Sequence, residues 1–444
     1  MVSATQPDIS SSGRLRRALP RGVAFWLVGV TSTLLVMSSA VPSPMYVVYQ
    51  QEWHFSAAMI TVIFGVYGIC VLGSMLLFGS LSDTVGRRPV LLGALVLMLA
   101  AMTLFALAHG VAWLLAARIV QGMGVGIATG TVGAALIELA PRNAPSRGTL
   151  VNTTAPVLGA AVGPLIGGML VQYGPAPTVL SYLLLLAVFA VAGAVLVFLP
   201  ETAPNAGGRF QLKPRRISIP APARRSFAVL ALTVATVWAF GGTFQALGPS
   251  LVADLLHSQN HLLGGAVVAV LAAAGAIGQP VFGRLTGRQP VVAGGVILVL
   301  GVIGLLAGMA TSSVPVFIGG IAILGLGWGA VFMGAFRLMA ALADPEHRGE
   351  LLAAVYIVAY LGLSLPAIGA GIAVRYFGLY ATMSVFAVVV AVLMVVSMAG
   401  LPLLSHRHRS AESLARDVPV AVPHPCCPPH PDATGVSPKV PVGV

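Results

Sequence analysis

Residues 79–92 read GSLSDTVGRRPVLL, a loop that gathers Asp83, Arg87 and Arg88 between two long apolar runs. The surrounding chain is poor in charge. Of its 444 residues 8% are charged and 57% hydrophobic, with a mean hydropathy of +0.95, whereas a soluble domain carries about 25% charged residues. Working outward from the loop, apolar stretches of roughly 20 residues, the length a helix needs to cross a bilayer, recur along the sequence. They fall at Val23–Tyr46, Ala57–Phe78, Pro89–Ala108, Ala112–Ile137, Leu150–Gln172, Val179–Leu199, Phe227–Val252, Leu262–Phe282, Val291–Met309, Val314–Leu338, Leu351–Val374 and Leu379–Leu403. These runs are too long and too continuous for the alternating strands of a membrane barrel. The expected fold class is an all-α integral membrane protein of twelve helices.

Orientation follows from Lys and Arg, which accumulate in cytoplasmic loops. With the N-terminus inside, every one of the 24 Lys and Arg residues except Arg118 and Arg375 falls on one side. The net charge of +12 is then a topology signal directed at anionic lipid, and no nucleic-acid partner is implied. A multi-pass plasma-membrane protein with both termini cytoplasmic is expected. The basic, apolar and small-residue sequence around Arg14–Pro42 has the parts of a secretory signal, but eleven further spans favour an uncleaved first helix. Of the three cysteines, Cys70 lies in span 2 and Cys426 and Cys427 in the tail, so no disulfide framework is expected.

The organisation is two-fold. The Pro- and Arg-rich segment Glu201–Ser226 separates six spans from six, which sets a tail at 1–21, bundles at 22–200 and 227–404, a linker at 201–226, and a disordered tail at 405–444. Gly86-Arg87-Arg88-Pro89-Val90 recurs as Gly287-Arg288-Gln289-Pro290-Val291, and Arg147-Gly148 as Arg348-Gly349, both 201 residues later. Parallel repeats of this kind imply pseudo-symmetric bundles around a central site open alternately to each side.

Three motifs carry chemistry. In the opening loop, Gly79 and Gly86 permit a tight turn, and Asp83 can favour a helix N-terminus or pair with a cation. In span 4, Arg118-Ile119-Val120-Gln121-Gly122-Met123-Gly124 embeds a charge about 10 Å from the outer end at 1.5 Å per residue, where a cation faces a wet cavity or a partner. In span 5, Gly159, Gly163, Pro164, Gly167 and Gly168 allow close helix approach and a bend, which suits a seal.

These motifs, in these positions, resemble those of the major facilitator superfamily, and within it the 12-span drug:proton antiporter branch. The resemblance implies the major facilitator fold, with substrate export by alternating access and no cofactor. It also implies that Gly79, Asp83, Gly86, Arg87 and Arg88 form a cytoplasmic gate. Asp83 would meet the start of the eleventh span near Arg348–Leu351, and Arg87 would reach an acid at the end of span 4, where Glu138 is the one available. Cavity walls in this fold come from spans 1, 4, 7 and 10, which nominates Ser39, Ser43, Tyr46, Arg118, Gln121, Trp238, Gln245 and Trp328 for the substrate. The second-half loop Gly283-Arg284-Leu285-Thr286-Gly287-Arg288 is three residues shorter and lacks the acid, so the gate is expected to be asymmetric.

None of the twelve acids and nine histidines lies deep in a span. A pump for strongly cationic drugs is disfavoured by this, and small neutral or anionic amphipathic substrates fit better. Proton coupling rests on the resemblance, with Asp83 or Glu138 as the groups nearest to hand. The rival reading is a metabolite exporter for amino acids, sugars or a biosynthetic product. A membrane-embedded enzyme would need an acid cluster or a nucleophile with its base, and a phosphate-binding Gly-x-x-x-x-Gly-Lys loop is absent. The expected partners are a small molecule, protons and the lipid bilayer, with the chain acting as a monomer.

Overall fold

The computed structural model describes residues 19–203, 223–255, 260–342 and 348–404. The N-terminal residues, most of the linker and the tail with Cys426 and Cys427 lie outside the described residues. Among the described residues every regular element is a helix. In chain order they are α1 (Arg21–Ala40), α2 (Met45–Trp53), α3 (Ala57–Phe78), α4 (Leu81–Val85), α5 (Arg87–Ala106), α6 (Val111–Leu139) and α7 (Ser146–Tyr173), followed by α8 (Leu180–Leu196), α9 (Arg224–Leu255), α10 (His261–Val281), α11 (Gln289–Thr311), α12 (Val314–Ala340), α13 (Arg348–Phe377) and α14 (Leu379–Gly400). A short 3-10 turn, Leu401–Leu404, follows α14.

Eleven described spans are long and apolar enough to cross a membrane. The exception to the expected twelve is α8. It is apolar but only 17 residues long, because the chain turns at Val197 and meets Pro200 just beyond. The first span runs farther than its hydropathy indicates, from Arg21 to Trp53, and is broken between α1 and α2. Pro42 and Pro44 supply no N–H there, and the chain passes through tight turns in which Ser43 N donates to Ala40 O and Met45 N to Pro42 O.

In the first half α5 and α3 pack on α6, α8 packs on α5, and α1 lies along α7. Leu91, Ala94, Leu95, Met98, Ala101, Met102 and Phe105 recur at helical spacing on the inner face of α5. They meet Tyr182, Leu185, Phe189, Ala192 and Leu196 of α8, with Phe105 and Tyr182 stacked at 4.8 Å. The opposite faces, such as Val96 and Val191, are exposed, as lipid contact requires. Lipid is as apolar as these side chains, so helix association depends on close packing and small residues. The second half follows the same rule, with α11 packed on α12, α12 on α10, and α13 on α9.

The halves meet mainly through α7 with α10 and α3 with α13, and α3 also touches α9. Pro164 and Gly168 of α7 face Gly265 and the start of α10 at His261 and Leu262. His261 N donates to Gln172 Oε1 at 2.8 Å, and Ser43 Oγ donates to Gln245 O. These contacts of α7 and Ser43 lie toward the end where α7 finishes and α10 begins, while Gly65 and Gly68 at the middle of α3 meet Ile368 and Ser364 of α13.

Candidate functional site

The opening loop folds as a glycine-hinged turn around the short helix α4. Gly86 has φ 114° and ψ 153°, a region that only glycine occupies readily. Its second-half counterpart Gly287 also has a positive φ, 57°, and each glycine stands just before the helix that opens with the repeated Pro89 or Pro290. Both copies of the repeat thus place a positive-φ glycine ahead of that helix.

Arg87 is the centre of the loop's charge cluster. Its side chain is nearly buried, and Nη2 and Nε lie 3.0 and 3.4 Å from the two carboxylate oxygens of Glu138, at the last turn of α6. Nη1 donates to Ser82 Oγ at 2.6 Å and to Asp83 Oδ1 at 2.5 Å. Such a two-pronged arginine–carboxylate contact is directional as well as attractive. Asp83 turns back onto Arg87, and its side chain remains 56% exposed. Of the segment expected to receive Asp83, Arg348–Leu351, the side-chain environments of Arg348 and Gly349 lie outside the described residues.

The motif alone did not point to Glu201. This residue follows α8, yet its carboxylate accepts from Arg87 N at 2.7 Å and Arg88 N at 3.1 Å, and also from the N–H groups of Thr202 and Ala203. The first N–H groups of a helix lack partners within it and carry partial positive charge. Glu201 therefore caps α5 from 113 residues away. Thr202 Oγ1 donates to Glu138 Oε2, and Arg21 Nη2 donates to Glu138 O at 2.7 Å. A Glu-Thr pair directly after a span was the available signal, but nothing in its own neighbourhood identifies its target.

Arg118 is completely buried. Nε donates to Tyr46 Oη at 2.7 Å, and Nη1 donates to Gln121 Oε1 at 2.8 Å and Ser39 O at 3.1 Å. Gln121 Nε2 in turn donates to Ser38 O at 3.0 Å. The guanidinium carbon lies 5.5, 5.2 and 5.6 Å from the rings of Tyr46, Tyr67 and Phe105. Carbonyls and aromatic faces thus take the part usually played by an acid. Nη2 has no protein partner. Ser39, Tyr46, Arg118 and Gln121 are brought together as one cluster, enclosed within the first half.

Ser43 sits elsewhere, at the junction with the backbone of Gln245. Gly159, Gly163 and Gly167 press on α1, where an added Cβ at Gly163 would stand 2.6 Å from Met37 O, and Gly168 presses on α10. The α7 glycines therefore use one face within their own half and another between the halves.

Trp238 and Trp328 belong to a ring cluster of α9, α12 and α13 that also contains Phe332, Phe336, Tyr356 and Tyr360. Their spacing was legible in principle: Trp328, Phe332 and Phe336 recur every four residues, as do Tyr356 and Tyr360, which places each set on one helix face. What could not be read is that three helices bring these faces together.

This set of packed spans is the architecture of a polytopic membrane transporter. A family model for the Major Facilitator Superfamily matches residues 28–365, and the chain belongs to that superfamily. Over 194 residues it is 30% identical to Citrate exporter 1 of Aspergillus niger, covering 42% of this chain and 36% of that protein. Over 188 residues it is 29% identical to the uncharacterized MFS-type transporter EfpA of Mycobacterium tuberculosis, covering 42% of this chain and 34% of that one. The match thus spans about a third of the length of these curated relatives. A bacterial homolog of the human lysosomal transporter Spinster, inward-facing and occupied, superposes with a TM-score of 0.68 at 15% identity, covering 87% of this chain and 97% of that one. The human organic anion transporter MFSD10 gives 0.62 at 19% identity, covering 86% and 100%. At these identities the two structures establish a shared fold.

Proposed function

We propose that the protein exports small, mostly apolar or amphipathic compounds, of the kind carried by drug efflux pumps, across the plasma membrane by alternating access in exchange for protons. The observation that carries this reading is the junction of α7 with α10, whose contacts lie toward one end. Pro164, Gly168 and Gln172 of α7 meet the start of α10, and Ser43 meets Gln245. By the arginine distribution this is the outer end, so the structure corresponds to a form closed outside. At the other end Asp83 engages Arg87 and is largely exposed. Rocking of the pseudo-symmetric six-helix halves, residues 22–200 and 227–404, then exposes a central site to each side in turn. Proton coupling is assigned on the family resemblance, with Asp83 or Glu138 as the carboxylate that carries it.

A second reading is export of a metabolite, in particular an organic acid. It is favoured by Arg118 as the embedded charge and by the partial likeness to a citrate exporter.

The test is flux in proteoliposomes under an imposed pH gradient, with Gln172→Cys/His261→Cys in a cysteine-free background. Gradient-driven flux should vanish on oxidation of the pair and return on reduction. Flux that ignores the pH gradient removes the antiport claim, and flux that persists through a formed cross-link removes opening at this end.

A further inference from the structure

The ring cluster of the second half has a directional feature that ordinary packing does not supply. α12 turns Gly327 and Gly334 to α11, and Gly325 and Gly329 to α10. Trp328 lies between α9 and α10, Phe332 meets Trp238 of α9, and Phe336 follows Phe332. Trp238 lies 6.0 Å from Phe332 and 5.3 Å from Tyr360, both near edge-on, and Tyr356 follows Tyr360 at 6.5 Å. All six rings are half-buried. By contrast Phe240 and Phe244, one face around on α9, stack on each other and are fully buried.

The two indoles also differ. Trp328 is wedged between Gly241 and Gly275, and its Nε1 donates to Val237 O at 2.7 Å. Its bonding is complete and its role in packing is evident. Trp238 Nε1 is shielded from solvent and has no protein acceptor, although buried indole N–H groups ordinarily find one.

Charge decides what the remaining partner is. Rings alone attract cations as well as planar groups. Tyr360, however, packs against the first-half core that contains Tyr67, and the Arg118 guanidinium lies 5.2 Å from the Tyr67 ring. A cation on this wall would face Arg118 behind one layer of tyrosine. Among the described residues the nearest carboxylates are at helix ends.

We infer that the wall around Trp238 is a binding site for a planar aromatic compound, neutral or anionic, that stacks on the exposed ring faces and accepts a hydrogen bond from Trp238 Nε1. This inference rests on the exporter reading above and narrows its substrate class.

Three probes separate ring, shape and charge: 2-naphthoate, its saturated analogue decahydro-2-naphthoate, and 2-naphthylmethylammonium. Equilibrium binding to the purified full chain should favour 2-naphthoate over both others by about tenfold, from stacking, the nearby Arg118 and the absence of a nearby carboxylate. Trp238→Phe should weaken 2-naphthoate about fivefold, the effect of one hydrogen bond, without moving the thermal midpoint, while the distant, exposed Trp113→Phe leaves binding unchanged. Equal binding of the aromatic and saturated acids, preference for the ammonium probe, wild-type binding by Trp238→Phe, or no binding of any probe overturns the inference. Flux measurements keep the two readings apart. Selective binding of 2-naphthoate without gradient-driven movement sinks the exporter reading alone, and movement of all three probes without preference sinks the aromatic site alone.

Discussion

The two loops related by the 201-residue repeat each turn on a positive-φ glycine but are held by different means. In the first half, residues 79–88 are held by ions: Arg87 joins Asp83 and Glu138, and Glu201 caps α5. In the second half, residues 283–288 are held by carbonyls: Arg337 Nη1 donates to Gly283 O at 3.1 Å, and Arg288 Nη1 to Leu401 O at 3.0 Å. The positions correspond, since Glu138 and Arg337 each end the fourth helix of their half, and Glu201 and Leu401 each follow the sixth. The difference teaches that symmetry of fold does not impose symmetry of chemistry. A carboxylate partner can be protonated or exchanged for another, whereas a backbone carbonyl can do neither, so the first-half loop is the one suited to switching.

The largest effect should come from Arg87→Ala compared with Arg288→Ala. Removing Arg87 strands Glu138 and Asp83 and should cost roughly 2 to 4 kcal/mol, less than a fully buried pair because Glu138 is partly solvated. Removing Arg288 leaves one carbonyl that water can reach, about 1 kcal/mol. Thermal unfolding of the two purified variants measures the gap, and equal losses would break the comparison.

Next come the glycines. Gly86→Ala meets a forbidden backbone region and the Glu201 carboxylate, whereas a Cβ at Gly287 meets nothing within 4 Å. We expect about 2 to 3 kcal/mol for the first and about 1 for the second, again read from unfolding midpoints.

Glu201→Gln keeps an acceptor but removes the charge from the α5 N-terminus, an expected loss of about 1 kcal/mol, visible as a lower unfolding midpoint that high salt narrows. The smallest stability effect belongs to Asp83→Asn, within about 0.5 kcal/mol because the carboxylate is exposed. Its transport rate should nonetheless fall several-fold. Unchanged transport would show that Asp83 acts only as a surface charge.

Most of the helices were legible because hydropathy and helix length are local properties that the bilayer thickness fixes. Where the helices end differently from the apolar runs, local causes compete with hydropathy. Proline turns at Pro42 and Pro44 let the first span continue to Trp53, and α8 stops short at a turn before Pro200. The loop motif was legible for a similar reason, since Gly86 and Gly287 record a φ that few other residues adopt. The site was less so. Ser39, Tyr46 and Gln121 were named as cavity walls alongside Arg118, and the structure gathers them into a closed cluster around its guanidinium.

The sequence by itself determined a polytopic helical membrane protein built from a repeat, with one embedded cation and no acid to match it, because each of these follows from residue type and spacing along one chain. Only the tertiary structure decided that Arg118 is satisfied by carbonyls and rings, that Glu201 caps a helix 113 residues before it, and that Trp238 stands unpaired within a wall drawn from three helices. Each of those depends on which helix faces which, and that choice is made by packing between segments far apart in the chain.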